Sequence, residues 1–306
     1  MDELPILLIA KKTANRESFI RSLEAVSMNY EVVETLGKFH EAAERTKAKV
    51  VVHVLEEFER GEVAVFHHRL VRSEQGRSMA RFLIYRGTNE RAISFGVDLG
   101  MLRAIQAEQA LSALGYTLQL ALKAHADLEP DLREALELTA SGDCCMGKDT
   151  LELQKAISKK YPLVENLAIV AAYSLLILNG DAEGAIRKGQ SILSRSPTNV
   201  RAMTLVGEAL IHLGEYDAAA KMLMNAESFA AGNPSRLALI GRIAAHTGNA
   251  EAAKKCLFKS VEICPVIRTL QPLIAMVQLS DEEKKSLNDL LALRLSPDEI
   301  KSLFKS

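Results

Sequence analysis

Tryptophan is absent from this 306-residue chain, and only 5% of its residues are aromatic. An excess of charge of either sign is missing too: 38 Lys+Arg against 39 Asp+Glu leave a formal net charge of −1. Residues 1–127 hold 17 of each, which leaves 21 basic and 22 acidic residues for 128–306. Neither half has the basic surplus that binding to a phosphate backbone needs, which argues against a nucleic-acid partner. Cysteine is scarce: Cys144, Cys145, Cys256 and Cys264 show no CxxC spacing, and the histidines do not complete a zinc set. These read as thiols in a reducing cytoplasm. No apolar run approaches the roughly 20 residues of a membrane span. The run from Pro5 to Ala10 is preceded by acids, which makes it a poor export signal. The expectation is a cytoplasmic protein without membrane insertion. Phosphate loops, GxGxxG, HExxH and nucleophile elbows are all lacking, and Ser141–Cys144 reads as a connector. No cofactor is expected and no enzyme is implied.

What the chain does have is a clock. Gly180, Gly214 and Gly248 lie in short turns, each 34 residues from the next. Each is followed five residues later by an alanine, Ala185, Ala219 or Ala253. Gly207 and Gly241 form a second pair at the same interval of 34. Helix pairs explain the pattern. The turn glycine supplies a left-handed residue where one helix ends. The small residues inside the helices let the two rods approach. Pro197 and Pro265 stop the second helix of their units. One such pair cannot bury its apolar face alone, so the pairs must stack.

This pattern resembles the tetratricopeptide repeat, with copies at 166–199, 200–234 and 235–265. The second copy carries Met203, Val206, Gly207, Gly214, Tyr216, Ala219 and Ala226. The third carries Leu237, Ile240, Gly241, Gly248, Ala253 and Pro265. The first has Tyr173 where a small residue is usual, and Pro234 implies a distorted end to the second. Upstream, 131–141 and 149–161 read as a degenerate or capping pair. Downstream, 266–278, 281–293 and 297–305 read as helices, with Ser280 and Ser296-Pro297 as start signals. The resemblance implies a solenoid over 128–306 with a concave groove lined by the first helix of each pair. That register assigns Arg201, Thr204, Glu208 and His212 to the groove from the second copy. The third supplies Ser235, Arg242 and His246, and the first Leu167, Val170, Ser174 and Leu178. The subtype that clamps a C-terminal carboxylate uses Lys and Asn where this chain has Thr204 and Glu208, so that subtype is not implied.

Residues 1–127 alternate between apolar runs and helical stretches. The runs are PILLIA, YEVVETL, AKVVVHVL, MARFLIY and MLRAIQ. Continuous apolar runs of this length fit strands covered on both faces. The alternation implies an α/β unit with a five-stranded parallel sheet and right-handed crossovers, followed by an all-α solenoid. Over about 4–125 the arrangement resembles the receiver domain of response regulators, most locally in FHHRLVRSEQGRSMARFLIY. The family's acidic pair after strand one is replaced by Lys11 and Lys12. Its phosphoaccepting Asp falls at His53 or Val54, a vestigial position. Hard cations need oxygen ligands, so the resemblance implies a pseudo-receiver without aspartyl phosphorylation. Glu56 and Glu57 read as a solvated loop. Six arginines crowd 67–91; of these Arg69, Arg72 and Arg77 form a candidate patch for an anionic partner.

The combined reading is a non-catalytic adaptor in bacterial signalling. Its partners would be other proteins, such as a motility or polarity regulator. The surface over Ala92–Ala124 is a candidate homodimer face. A response regulator with atypical phosphorylation and a chaperone or secretion-type repeat protein are the alternatives.

Overall fold

The computed structural model describes residues 6–11, 14–54, 60–72, 76, 79–85, 90–99, 101, 103–106, 114–133, 135, 152, 156–157, 159–161 and 165–304. Five strands, β1 (Ile6–Ile9), β2 (Tyr30–Val33), β3 (Val50–Val54), β4 (Ala80–Tyr85) and β5 (Arg103–Gln106), form one sheet in the order β2-β1-β3-β4-β5. Every neighbouring pair is parallel. The helices between and after them are α1 (Ala14–Glu24), α2 (Phe39–Thr46), α3 (Arg60–Leu70), α4 (Glu90–Asp98) and α5 (Leu114–Ala126).

Alternate residues of the central strands serve opposite faces. Ile6, Leu8, Val50, Val52, Phe82 and Ile84 pack with Phe19 and Leu23 of α1 and Leu118 of α5. Leu7, Ile9 and Val51 pack with Phe39 of α2 and with Phe66 and Leu70 of α3. This two-sided burial is why β1 and β3 read as continuous apolar runs rather than as alternating ones.

Beyond it lie four consecutive helix pairs or parts of pairs: α6 (Glu165–Asn179) with α7 (Ala182–Leu193), α8 (Val200–His212) with α9 (Tyr216–Phe229), α10 (Pro234–His246) with α11 (Ala250–Ile263), and α12 (Ile267–Met276). The turn glycines all have positive φ: 66° at Gly180, 77° at Gly214 and 81° at Gly248. A β-carbon on Gly207 would lie 2.6 Å from Leu223 Cγ, so α9 packs directly against the α8 backbone there. Asn199 and Asn233 cap α8 and α10 through the amides of Ala202 and Arg236. The 34-residue period thus extends to the helix caps. Pro234 is the first residue of α10, where its missing N–H costs nothing. The end of the second repeat is therefore regular, not distorted. Two further helices, α13 (Asp281–Ala292) and α14 (Pro297–Leu303), start at full capping boxes on Ser280–Glu283 and Ser296–Glu299.

Candidate protein-binding site

The helical array touches the α/β portion along one edge, where the second helix of each pair hands over to the first helix of the next. Three successive loops take part. Ser94 Oγ of α4 donates to the Thr198 carbonyl at 3.1 Å. Asn233 Nδ2 donates to Asp98 Oδ1 at 3.1 Å. Arg69 donates to the carbonyls of Glu262 (2.7 Å) and Ile263 (3.1 Å), and Arg72 to that of Pro265 (2.6 Å). Between these polar seats, Val63, Ala64, Phe95 and Leu99 share a core with Val200, Met203, Ala226 and Ala230. A second small cluster joins Val65 to Leu237, Ile263 and Cys264.

Arg236 is the centre of this seam. Its side chain is fully buried, yet every part of the guanidinium is used. Nη1 and Nη2 hold Asp98 Oδ1 and Oδ2 at 3.2 and 3.1 Å, and Nε holds Glu227 Oε2 at 2.8 Å. Nη1 also donates to Thr204 Oγ1 at 3.2 Å, and Nη2 to the Ala230 carbonyl. Burial works against its charge, but Asp98 and Glu227 outweigh burial and raise its pKa.

The seam answers several expectations from the sequence. Arg69 and Arg72 point their guanidiniums at loop carbonyls of the same chain, and Arg72 also pairs with Glu299 at 3.3 Å. Arg69 stays exposed and Arg72 is half-buried, and both spend N–H donors on the array that lies against α3. Arg77 lies outside the described residues, as do Lys12, Glu56, Glu57 and 136–150. Thr204 is turned into the seam by its bond to Arg236. Ala92, Ser94 and Asp98 of α4 are buried, so this part of the expected self-association face is occupied by the array. On α5, Tyr116 and Leu120 remain 57% and 49% exposed.

His53 ends no open cleft. It shares its side of the sheet with Val51 and packs edge-on against Phe66 of α3. Its Nδ1 lies 3.0 Å from His67 Nε2. Burial pushes its pKa down to about 3 and that of His68 down to about 4, while His67 is also lowered well below its ordinary value. All three imidazoles are therefore neutral near pH 7. Val54, the other candidate position, is half-buried. A fully buried His53 offers no attack path for a phosphodonor.

The concave side of the array is different. Val170 and Ser174 of α6 are buried, and Ser174 Oγ donates to the Val170 carbonyl at 3.0 Å. Arg201 is buried at the start of α8. Four predicted groove residues remain together: Glu208 and His212 on α8, and Arg242 and His246 on α10. Arg268 of α12, which the register did not mark, pairs with Glu208 and sits 5.7 Å from the Tyr173 ring centre. One side chain thus spans from the fourth first-helix to the first. His246 stacks on Tyr216 with ring centres 3.7 Å apart and planes at 26°. Burial lowers the pKa of Arg242; Glu208 opposes this and Arg268 adds to it. For His212, burial lowers, Glu208 raises, and the two arginines lower. Sequence alone gives no signal for Arg268 beyond its place in the next first-helix.

Among the described residues, no group of three or more His, Cys, Asp or Glu side chains could hold a metal, and no helix is long and apolar enough to cross a membrane. No curated protein matches the chain. Among solved structures, it is similar to TTC0263, a thermophilic tetratricopeptide protein of Thermus thermophilus, at 20% identity over 57% of this chain and 98% of that one, with a TM-score of 0.44. PilW, a type IV pilus biogenesis factor, is similar at 13% identity over 72% of this chain and 100% of its own, with a TM-score of 0.39. The RcsB response regulator of Salmonella typhimurium is similar at 16% identity over 61% and 92%, with a TM-score of 0.34. At these scores the likenesses carry no argument about function. Family models speak more plainly: residues 176–243 and 235–266 each match the tetratricopeptide repeat, the stretch that holds most of the concave cluster and most of the seam.

Proposed function

We propose that this chain is a non-catalytic adaptor that holds a partner protein on the concave side of its repeat array. Tetratricopeptide repeats are generally interaction modules rather than catalysts. The observation that carries the reading is the contrast between the fully matched Arg236 at the loop edge and a charged concave cluster around Glu208, Arg242 and Arg268. Arg242 Nε and Glu208 Oε2 are buried there without a hydrogen bond among the described residues, and buried polar groups are costly to leave unmatched, so the face is read as one that a partner completes.

The α/β portion is, in this proposal, a pseudo-receiver in a bacterial signalling system. Its strand order is the doubly wound 2-1-3-4-5, and the resemblance would put the phosphoacceptor at a fully buried His53 or a half-buried Val54. The exposed Tyr116 and Leu120 of α5 would offer a second docking or self-association surface. Labelled acetyl phosphate with Mg²⁺ tests this part: the expected outcome is no protein-bound label, and incorporation lost on His53→Gln would replace the adaptor with a working regulator.

The groove is tested by site-specific photo-crosslinking in the native host. A photoreactive residue at His246, on the concave lip, should give a discrete crosslinked partner. The same residue at Lys188, on the exposed side of α7, should not. Equal yields from both sites would remove the concave face from the proposal.

A further inference from the structure

Two buried atoms of the concave face make no hydrogen bond among the described residues: an acceptor, Glu208 Oε2, and a donor, Arg242 Nε. Glu208 is 3% exposed, and its other oxygen, Oε1, pairs with Arg268. Glu208 and Arg242 are 34 residues apart, so they hold equivalent positions on the neighbouring first helices α8 and α10. The two charges act on each other, since Glu208 opposes the burial that lowers the pKa of Arg242. Each lies one turn inside an exposed histidine of its own helix, His212 on α8 and His246 on α10. The pair thus keeps one unused acceptor and one unused donor within the rim of the groove, and unmatched buried polar groups are costly. The loop edge shows the matched state of the same atom type, since Nε of Arg236 there holds Glu227 Oε2 at 2.8 Å.

We infer that Glu208 Oε2 and Arg242 Nε form an amide subsite, and that the partner segment fills it with the side-chain carboxamide of an Asn or Gln. The inference rests on the adaptor reading above and names its chemistry. A carboxamide carries N–H donors and a carbonyl acceptor on one carbon. It can therefore donate to Oε2 and accept from Nε at once. Charged side chains do only half of this. An ionised Asp or Glu accepts from Arg242 but has nothing to donate to Glu208, which repels it. A Lys or Arg donates to Glu208 but cannot accept from Arg242, which repels it in turn. The amide of a partner's backbone has the right groups but the wrong depth. The two atoms lie one helical turn, about 5.4 Å, inside the histidines of the rim, and a segment crossing the rim spans that distance with a side chain. The subsite does not draw on Arg268, whose bond is to the other carboxylate oxygen.

The test uses the full chain and a short fluorescein-labelled peptide of alternating Gln and Ala, amidated at its C-terminus, with Glu-for-Gln and Lys-for-Gln versions as controls. Fluorescence anisotropy should show the Gln peptide binding most tightly. Arg242→Met, which removes Nε and keeps much of the side chain's bulk, should weaken it about tenfold, the loss of one hydrogen bond to a charged group. The same variant should tighten the Lys peptide, because Arg242 no longer repels it. Glu208→Gln, which keeps shape and removes the negative charge, should tighten the Glu peptide. A purely structural pair would not exchange charge preferences in this way. Melting curves identify any variant that fails to fold; Arg242→Lys, which keeps the charge and loses Nε, then stands in for Arg242→Met and should also weaken the Gln peptide. Gln-peptide binding unmoved by the Arg242 variants overturns the subsite, because the amide then sits elsewhere. Equal binding of the three peptides, or tighter binding of either charged one, overturns it as well. Binding of none of them also overturns the subsite, while the crosslink at His246 decides the groove separately.

Discussion

Two surfaces of one repeat array handle arginine in opposite ways. At the loop edge, Arg236 is wholly buried and wholly matched, with Asp98 supplied from α4 across the seam. On the concave side, Arg242 and Arg268 both lean on the carboxylate of Glu208. The same helix, α10, presents Arg236 and Arg242, less than two turns apart along its length. Folding has used up the hydrogen-bonding capacity of the first and left part of that of the second. On the proposal above, the difference separates what an array needs to seat its own α/β portion from what it keeps for another molecule.

The comparison is broken most severely at Arg236. Arg236→Met leaves Asp98 and Glu227 in the seam without their cation, and should cost about 3–5 kcal/mol, the usual result of removing one partner of a buried pair. A large drop in melting temperature checks this; a drop of a degree or less would mean the seam is not a single unit. Gly207→Leu comes next. Overpacking against Leu223 should cost about 1–3 kcal/mol, read from urea unfolding, and an unchanged midpoint would count against close approach of α8 and α9.

Acid should act on the α/β side more gently. The folded pKa values of His53 and His68 lie below the ordinary 6.5, at about 3 and about 4. Between those values and 6.5 the unfolded chain binds more protons, so stability is full above pH 6.5 and is lost as pH falls. The melting temperature should decline as the pH is lowered from neutral toward the folded value of His68, and His53→Leu should flatten that decline. The smallest effect is expected at Arg242: Arg242→Gln should change stability by less than about 1 kcal/mol, as for partly exposed pairs generally. A loss as large as that of Arg236→Met would erase the distinction between the two surfaces.

Much of this architecture is legible in the residues. Gly180, Gly214 and Gly248 announce the turns because a positive φ restricts the residue type there. Ser280 and Ser296 announce α13 and α14 because capping is local. The apolar runs PILLIA and AKVVVHVL map onto β1 and β3 because both sheet faces are covered. The seam is not legible. Arg236 and Asp98 lie 138 residues apart, and a charged residue in isolation reads as surface. The bonds of Arg69 and Arg72 to the array carbonyls are hidden for the same reason, and Arg268 gives no local sign that it pairs with Glu208. Pro234 reads as a misplaced stop when it is a well-placed start. Local rules find the repeats; what the repeats rest against depends on contacts that no local rule reports.

The three seated loops have a consequence for how such a chain can change. Thr198, Asn233 and Pro265 meet α4 and α3 in sequence, so the α/β surface is as long as three repeats are tall. A free solenoid can lengthen or shorten by whole repeats, since each unit knows only its neighbours. Here a duplicated or deleted unit inside the seam would shift every later loop off its seat, and Arg69 and Arg72 would face the wrong carbonyls. The α/β portion therefore acts as a gauge on the number of repeats inside the seam, and the pairing of Arg72 with Glu299 extends that gauge to α14.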